Sequence, residues 1–261
     1  KRKLSKRKDP EAAVSFYHEK GVPVEAVMIY LATVANSNFE AWFDCNKDAK
    51  IEDFKFEFKK IGSSGGALFD LDKLMNISKN YLSKLTKDEI YDRVLNYSKE
   101  FDTEFYDLLV KYEDYSKSIF NIEREQKKPR KDYATYADAK KQIWYMYDEL
   151  FDKYFENYDF GKITDKEEIK NIINTYIDEY YDENDDKDTW FNKIKELSEK
   201  LGYAGNMKEY KENPDAFKGN VADVSTVIRV ALTSSSMTPD LYELLRLMGK
   251  DRIKERFSKL N

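Results

Sequence analysis

Apolar side chains recur at helical spacing along most of this chain. After Pro23, the positions Val24, Val27, Met28, Leu31 and Val34 fall at i, i+3, i+4 intervals and predict one apolar helix face. Asp70 stands ahead of Leu71, Leu74 and Met75 as an N-cap, and Thr86-x-x-Glu89 is a capping box opening a helix with Ile90, Val94 and Tyr97 in register. The spacing continues through Phe105, Leu108, Leu109 and Tyr112, then resumes at Ile143, Met146, Tyr147 and Leu150 beyond a loop around Pro129. A second capping box, Thr164-x-x-Glu167, precedes Ile169, Ile172, Ile173, Tyr176 and Ile177. The last third predicts helices near residues 190–201, 221–232, 239–248 and 252–260, with Gly202 and Gly249 as stops. At the other end Asp9 is the expected N-cap of a helix with Pro10 at its first position and Gly21 closing it. One stretch departs from this pattern. Phe54, Phe56 and Phe58 alternate with polar residues, which predicts a short strand or extended segment before the break at Gly62-Ser63-Ser64-Gly65-Gly66. The expected fold is mainly α, with minor extended segments.

Composition agrees with helices. The chain has 261 residues with 9 glycines and 5 prolines, too few turn residues for a β-sandwich or barrel. Net charge is −5, yet residues 1–8 hold six of the 45 basic residues, so the remainder carries 39 basic against 50 acidic, a net of −11. A nucleic-acid partner must therefore meet local basic patches rather than a uniformly positive surface. Two patches qualify: residues 1–8, and Arg124, Lys127, Lys128, Arg130 and Lys131. Residues 178–188 hold seven acids and one lysine, a solvated helix end or loop. The single cysteine, Cys45, excludes an internal disulfide, and with the single histidine, His18, it offers no zinc site, so a reducing, cytoplasmic setting is expected and no metal. The longest apolar run, residues 26–35, is about half a bilayer span, so no membrane is expected. The opening KRKLSKRK has no initiator Met and no apolar region after its charges, which reads as a fragment and not as a signal peptide.

The sharpest local motif is Lys3-Leu4-Ser5-Lys6-Arg7. It resembles the KMSKS signature of class I aminoacyl-tRNA synthetases, in the KLSKR form of the glutamyl-tRNA synthetases; a basic tail is the competing reading of these five residues alone. Residues 14–31, VSFYHEKGVPVEAVMIYL, resemble the segment that follows this signature in that family. Residues 58–74, with Ile61, Ala67-Leu68-Phe69-Asp70 and Lys73-Leu74, are similar to its "F…I…S…A.FD..KL" segment. Ile228-Arg229-Val230-Ala231-Leu232-Thr233, Thr238-Pro239-Asp240-Leu241-Tyr242 and Leu247-Met248-Gly249-Lys250-Asp251-Arg252 resemble its final "LRvALTG…tPgLfe…lGkeR" block. Residues 90–185 resemble the family only loosely.

The resemblance implies a fragment running from the signature loop (1–8) through a stem-contact region (9–100) to two helical anticodon-binding subdomains (101–160 and 161–261). A Rossmann catalytic domain would lie upstream. The full-length protein would then be a glutamate-tRNA ligase, using ATP with Mg2+ to activate glutamate and transfer it to tRNA(Glu) or also tRNA(Gln), as a monomer; the fragment alone would bind no ATP and be inactive. Lys6 is the matching catalytic lysine, because an ammonium at the transferring phosphate stabilises charge that grows in the transition state. Arg229, Thr238, Pro239 and Leu241 match positions that approach anticodon bases, which an unstacked loop presents for stacking and edge contacts. Structural alternatives stay open: Thr238 as N-cap with Pro239 after it, Leu241 in a core stripe, Arg229 as a surface charge. Lys127, Lys128, Arg130 and Lys131 either touch the tRNA backbone or only solubilise their loop. The family usually has glycine where Ser234 stands, so a reshaped turn is expected there. Lys8-Asp9-Pro10 should stiffen the hinge after the signature. His18 is expected as a plain helix residue and Cys45 as a plain buried or loop thiol. A non-catalytic acidic helical interaction module is the reading from another class.

Overall fold

The computed structural model describes residues 5, 7–46, 49–57, 59, 61 and 68–260. They form two compact units, residues 1–142 and 143–261. Among the described residues the only β features are isolated bridges, Asn36 with Ile61 and Ala204 with Asn220. The expectation of a mainly α fold holds.

In the first unit, a 3-10 turn Pro10–Ala12 leads into α1 (Val14–Lys20), α2 (Val24–Ala35) and α3 (Phe39–Cys45). Asp9 does not cap this start with its side chain; its carboxylate accepts from the Ser5 amide at 2.8 Å, and the helix begins anew at Val14. Gly21 closes α1 in the left-handed conformation, φ 71°, and a Cβ there would stand 2.9 Å from the Tyr97 ring, so both backbone and space call for glycine. Helices α4 (Leu71–Lys84), α5 (Lys87–Phe101), α6 (Thr103–Lys111) and α7 (Glu113–Asn121) follow, then α8 (Ala137–Ile143) across the boundary. The Thr86 box forms with both arms: the Glu89 amide donates to Thr86 Oγ1 at 3.3 Å and the Thr86 amide to Glu89 Oε2 at 2.8 Å.

The face α2 buries is not the predicted one. Ala26, Ile29, Tyr30 and Ala32 are inside, against α4 and α3, whereas Val24, Met28 and Leu31 are exposed. A run that is apolar nearly all round has two candidate stripes, and periodicity alone cannot choose between them. Tyr30 packs with Val22 and Leu74, and Ile29 with Phe39. Nor do Phe54 and Phe56 alternate as a strand: both rings lie against Phe39, with centroids at 5.1 and 6.2 Å, and an aromatic cluster has replaced the ladder. Phe58 lies outside the described residues.

The second unit contains α9 (Asp148–Tyr154), α10 (Lys166–Thr175) with a π-helical turn Tyr176–Tyr180, α11 (Lys187–Lys200), α12 (Met207–Glu212), α13 (Val221–Thr233) and α14 (Leu241–Ser258). The N-cap of α10 is Asp165, whose carboxylate accepts from the amides of Glu167 and Glu168 at 2.8 and 3.1 Å; it displaces the expected Thr164 by one residue. Helix α13 is the central rod. Val224, Val227, Ile228, Val230, Ala231 and Leu232 are all fully buried, packed against α10, α11 and α14. Each such aliphatic side chain contributes roughly 1.5–3 kcal/mol of transfer free energy at full size. Helix α14 breaks at Gly249, φ 74°, as its stop predicted. Arg256, 1% exposed, lies over the Phe151 ring at 3.3 Å and donates to Asp148 at 2.5 Å, joining α14 to α9. Burial holds its guanidinium below the usual arginine range. No helix among the described residues is long and apolar enough to cross a membrane.

Candidate nucleic-acid interface

The loop between α13 and α14 brings three predicted residues together. Arg229 projects from the last turns of α13, half-buried, and its Nη1 donates to Thr238 Oγ1 and to the Pro239 carbonyl at 2.8 Å. Thr238 is buried and donates in turn to the Pro239 carbonyl at 3.0 Å. It is not the N-cap of α14; Asp240 is, accepting from the Glu243 amide at 3.1 Å. Leu241, 3% exposed, belongs to the core beneath, and its side chain is not presented at the surface.

The turn that leads into this loop is not reshaped. Ser234 adopts the left-handed conformation that glycine would, at φ 56° and ψ 19°, as the C-cap of α13. Such a conformation costs a residue with a Cβ about 1–2 kcal/mol. Its hydroxyl donates to the Asn157 carbonyl at 2.6 Å, which offsets part of that cost and ties the loop to the segment after α9. Ser235 accepts from the Met237 amide through its hydroxyl at 3.3 Å, and Thr233 Oγ1 accepts from the Ser235 amide at 3.2 Å. At the tip stands Met237, 80% exposed beside buried Thr238. Sequence reasoning passed over Met237; an apolar residue inside a run of Ser and Thr was the available signal.

The basic patch of the first unit divides. Arg124 is buried, with Nε donating to the Phe120 carbonyl at 2.7 Å and Nη1 to the carbonyls of Leu82 and Leu85 at 2.7 and 3.0 Å. Burial lowers its pKa from the usual arginine value. Arg130 is engaged with Asp132 at 2.5 Å and Glu123 at 3.4 Å. Lys127, Lys128 and Lys131 are exposed. In the signature, Ser5 and Arg7 are described, while Lys3, Leu4 and Lys6 lie outside the described residues. Beyond it the Lys8 and Asp9 amides both donate to the Ser5 carbonyl, at 2.9 and 2.8 Å, and Asp9 is buried, which pins Lys8 and Asp9 where the chain leaves the signature. His18 is exposed, 3.1 Å from Glu100, and Cys45 is exposed at the end of α3.

Comparison with known proteins agrees with this layout. The family model described as "Anticodon binding domain" matches residues 104–260. A glutamate-tRNA ligase of Clostridium perfringens is 47% identical over 260 residues, covering 99% of this chain and 47% of that protein. The Acetivibrio thermocellus glutamate-tRNA ligase is 45% identical over 263 residues, covering 100% of this chain and 47% of its own length. This chain thus spans about half the length of the curated relatives it matches. The crystal structure of a glutamate tRNA ligase from Elizabethkingia meningosepticum, in complex with its amino acid, superposes with TM-score 0.61 at 16% identity, covering 100% of this chain and 48% of that one, which is a likeness of fold. A helical unit built on the buried α13, the Arg229–Thr238 junction at its end, and a family match that spans both lead to one conclusion: the chain belongs to the anticodon-binding-domain family.

Proposed function

We propose that this chain is the tRNA-binding C-terminal part of a glutamate-tRNA ligase whose full-length form activates glutamate with ATP and Mg2+ and transfers it to tRNA(Glu). The observation that carries this reading is the clamped 234–240 loop: Arg229 fixes Thr238 and Pro239, and the hydroxyl network around Thr233 and Ser235 holds the loop before any partner arrives. A preorganised edge of donors and acceptors suits an unstacked anticodon base, because the ordering cost has been met in folding. Arg229, Thr238 and Pro239 face the anticodon in this reading, and Leu241 anchors the start of α14 beneath them.

The remaining assignments rest on the resemblance. Residues 1–8 form the ATP loop, with Lys6 as the catalytic lysine among Lys3, Leu4, Ser5 and Arg7. Residues 9–100 meet the stem, and residues 101–160 and 161–261 are the anticodon-binding subdomains. The protein acts in the cytoplasm as a monomer, and the part given by this chain does not charge tRNA by itself.

The test is titration of wild type and Arg229→Ala with a glutamate-tRNA anticodon stem-loop and with one carrying a single altered anticodon base. Loss of a base-edge contact removes about 1–3 kcal/mol of discrimination, whereas loss of a phosphate contact weakens both stem-loops alike. Unchanged binding of both, with the helices intact by circular dichroism, would place the anticodon site elsewhere.

A further inference from the structure

The first unit holds a wide cleft that takes no part in the anticodon site. Its walls are α2, α3 and the C-terminal half of α4 on one side and residues 124–131 on the other. Lys84, Arg124, Lys127, Lys128 and Lys131 line it, against the carboxylates of Glu40, Asp44 and Glu125. Glu40 is already paired with Lys73 at 2.8 Å. The balance is positive, in a chain whose total is −5.

Four features make this more than a chance group of lysines. The loop is bolted down: Arg124 reaches the carbonyls that end α4, the Arg130 amide donates to the Glu123 carbonyl at 3.0 Å, and the Gln126 side chain donates to the Lys128 carbonyl at 3.0 Å. Glu123 enters the loop with φ 53°, a strained conformation kept for a fixed shape. Among the described residues the hydrogen bonds of the Arg124 guanidinium go to carbonyls and none to a carboxylate, so its charge adds to the field of the cleft floor. Among the described residues no carboxylate lies within ion-pair distance of Lys127, Lys128 or Lys131.

We propose that this cleft holds the phosphodiester backbone of the bound tRNA through Lys127, Lys128 and Lys131, with Arg124 as the residue that positions the loop. This rests on the tRNA reading above and sharpens it: Arg130, held by two carboxylates, is removed from the contact set. Ammonium groups facing phosphates supply affinity and salt dependence but carry no sequence information. The cleft is therefore the sequence-blind part of the interface.

The experiment compares the whole 261-residue chain with its Lys127→Gln, Lys128→Gln, Lys131→Gln triple variant, titrated with a glutamate-tRNA transcript and a transcript with one altered anticodon base, over a range of salt. Three lost phosphate contacts should make the slope of log affinity against log salt shallower by about 2 and weaken both transcripts roughly tenfold or more at low salt. The ratio between the two transcripts should not move. A charge-matched variant elsewhere, Lys208→Gln with Lys211→Gln and Lys254→Gln, should keep the wild-type slope. A wild-type slope in the cleft variant, or an equal loss in the charge-matched one, would overturn the proposal while leaving the tRNA reading intact. Absence of transcript binding by the wild type would overturn that reading, and this proposal with it.

Discussion

The loops at 122–131 and 234–240 share one construction. Glu123 and Ser234 are the two non-glycine residues with left-handed backbone among the described residues, at φ 53° and 56°, and each opens a loop held by an arginine. Arg124 donates to three carbonyls, two of them on the far side of the cleft, and Arg229 donates to Thr238 and Pro239 within its own loop. What differs is what the loops display. The first carries three exposed lysines; the second carries a hydroxyl network with Met237 at its tip. A strained turn with an arginine clamp is thus a general way to hold a surface still, and the side chains mounted on it set whether that surface suits phosphate or base edges.

The comparison can be broken most forcefully at its buried end. Arg124→Met leaves three carbonyls without their donor and should destabilise the chain by about 2–4 kcal/mol in urea, against about 1 kcal/mol for Arg229→Ala, whose loop is partly solvated. Equal losses would mean that the two clamps do the same work. A smaller effect comes from Glu25, which ties α2 to α5 through Arg93 at 2.7 and 3.1 Å. Burial pushes its carboxyl up, but the hydrogen bonds from Arg93 and the Glu25 amide outweigh this and hold it below its ordinary value of 4.5. Unfolded Glu25 therefore takes up a proton before the folded form does, so its contribution is present above pH 4.5 and is lost as pH falls through the folded value. Glu25→Gln should cost up to about 1 kcal/mol near pH 6 and much less at pH 3, since the pair is partly exposed; a pH-independent cost, read from thermal melts, would mean that shape and not charge joins these helices. The smallest difference lies in the turns themselves. Glu123→Gly relieves the left-handed strain for a weak ion pair and should stabilise by about 0.5 kcal/mol, while Ser234→Gly also loses the bond to Asn157 and should change stability little. A larger gain from Ser234→Gly in melts would show that the Asn157 bond contributes nothing.

Local signals were legible where the chemistry is local. The Thr86 capping box, the Gly21 and Gly249 stops and the helix over 221–232 were each set by residues within a few positions of one another. The misreadings have distant causes. The face of α2 depended on Leu74 and Phe39, and Phe54 and Phe56 followed Phe39 rather than a strand partner. Arg124 looked like one more surface cation because two of its three partner carbonyls are 42 and 39 residues away. At the anticodon candidate, the resemblance named Arg229 and Thr238 separately, and the structure brings their side chains into contact. They could not reveal that Asp240 caps α14, that Leu241 is buried, or that Ser234 keeps the glycine-like turn.

Cys45 is the chain's single cysteine, and it is exposed at the end of α3, next to Asp44 and two positions from Phe43 on the cleft wall. This chain therefore carries one thiol for site-specific labelling and needs no background cysteines removed within it. A maleimide fluorophore placed there stands one residue from Asp44 of the lysine-lined cleft wall, and its emission can be followed through a tRNA titration without altering the sequence.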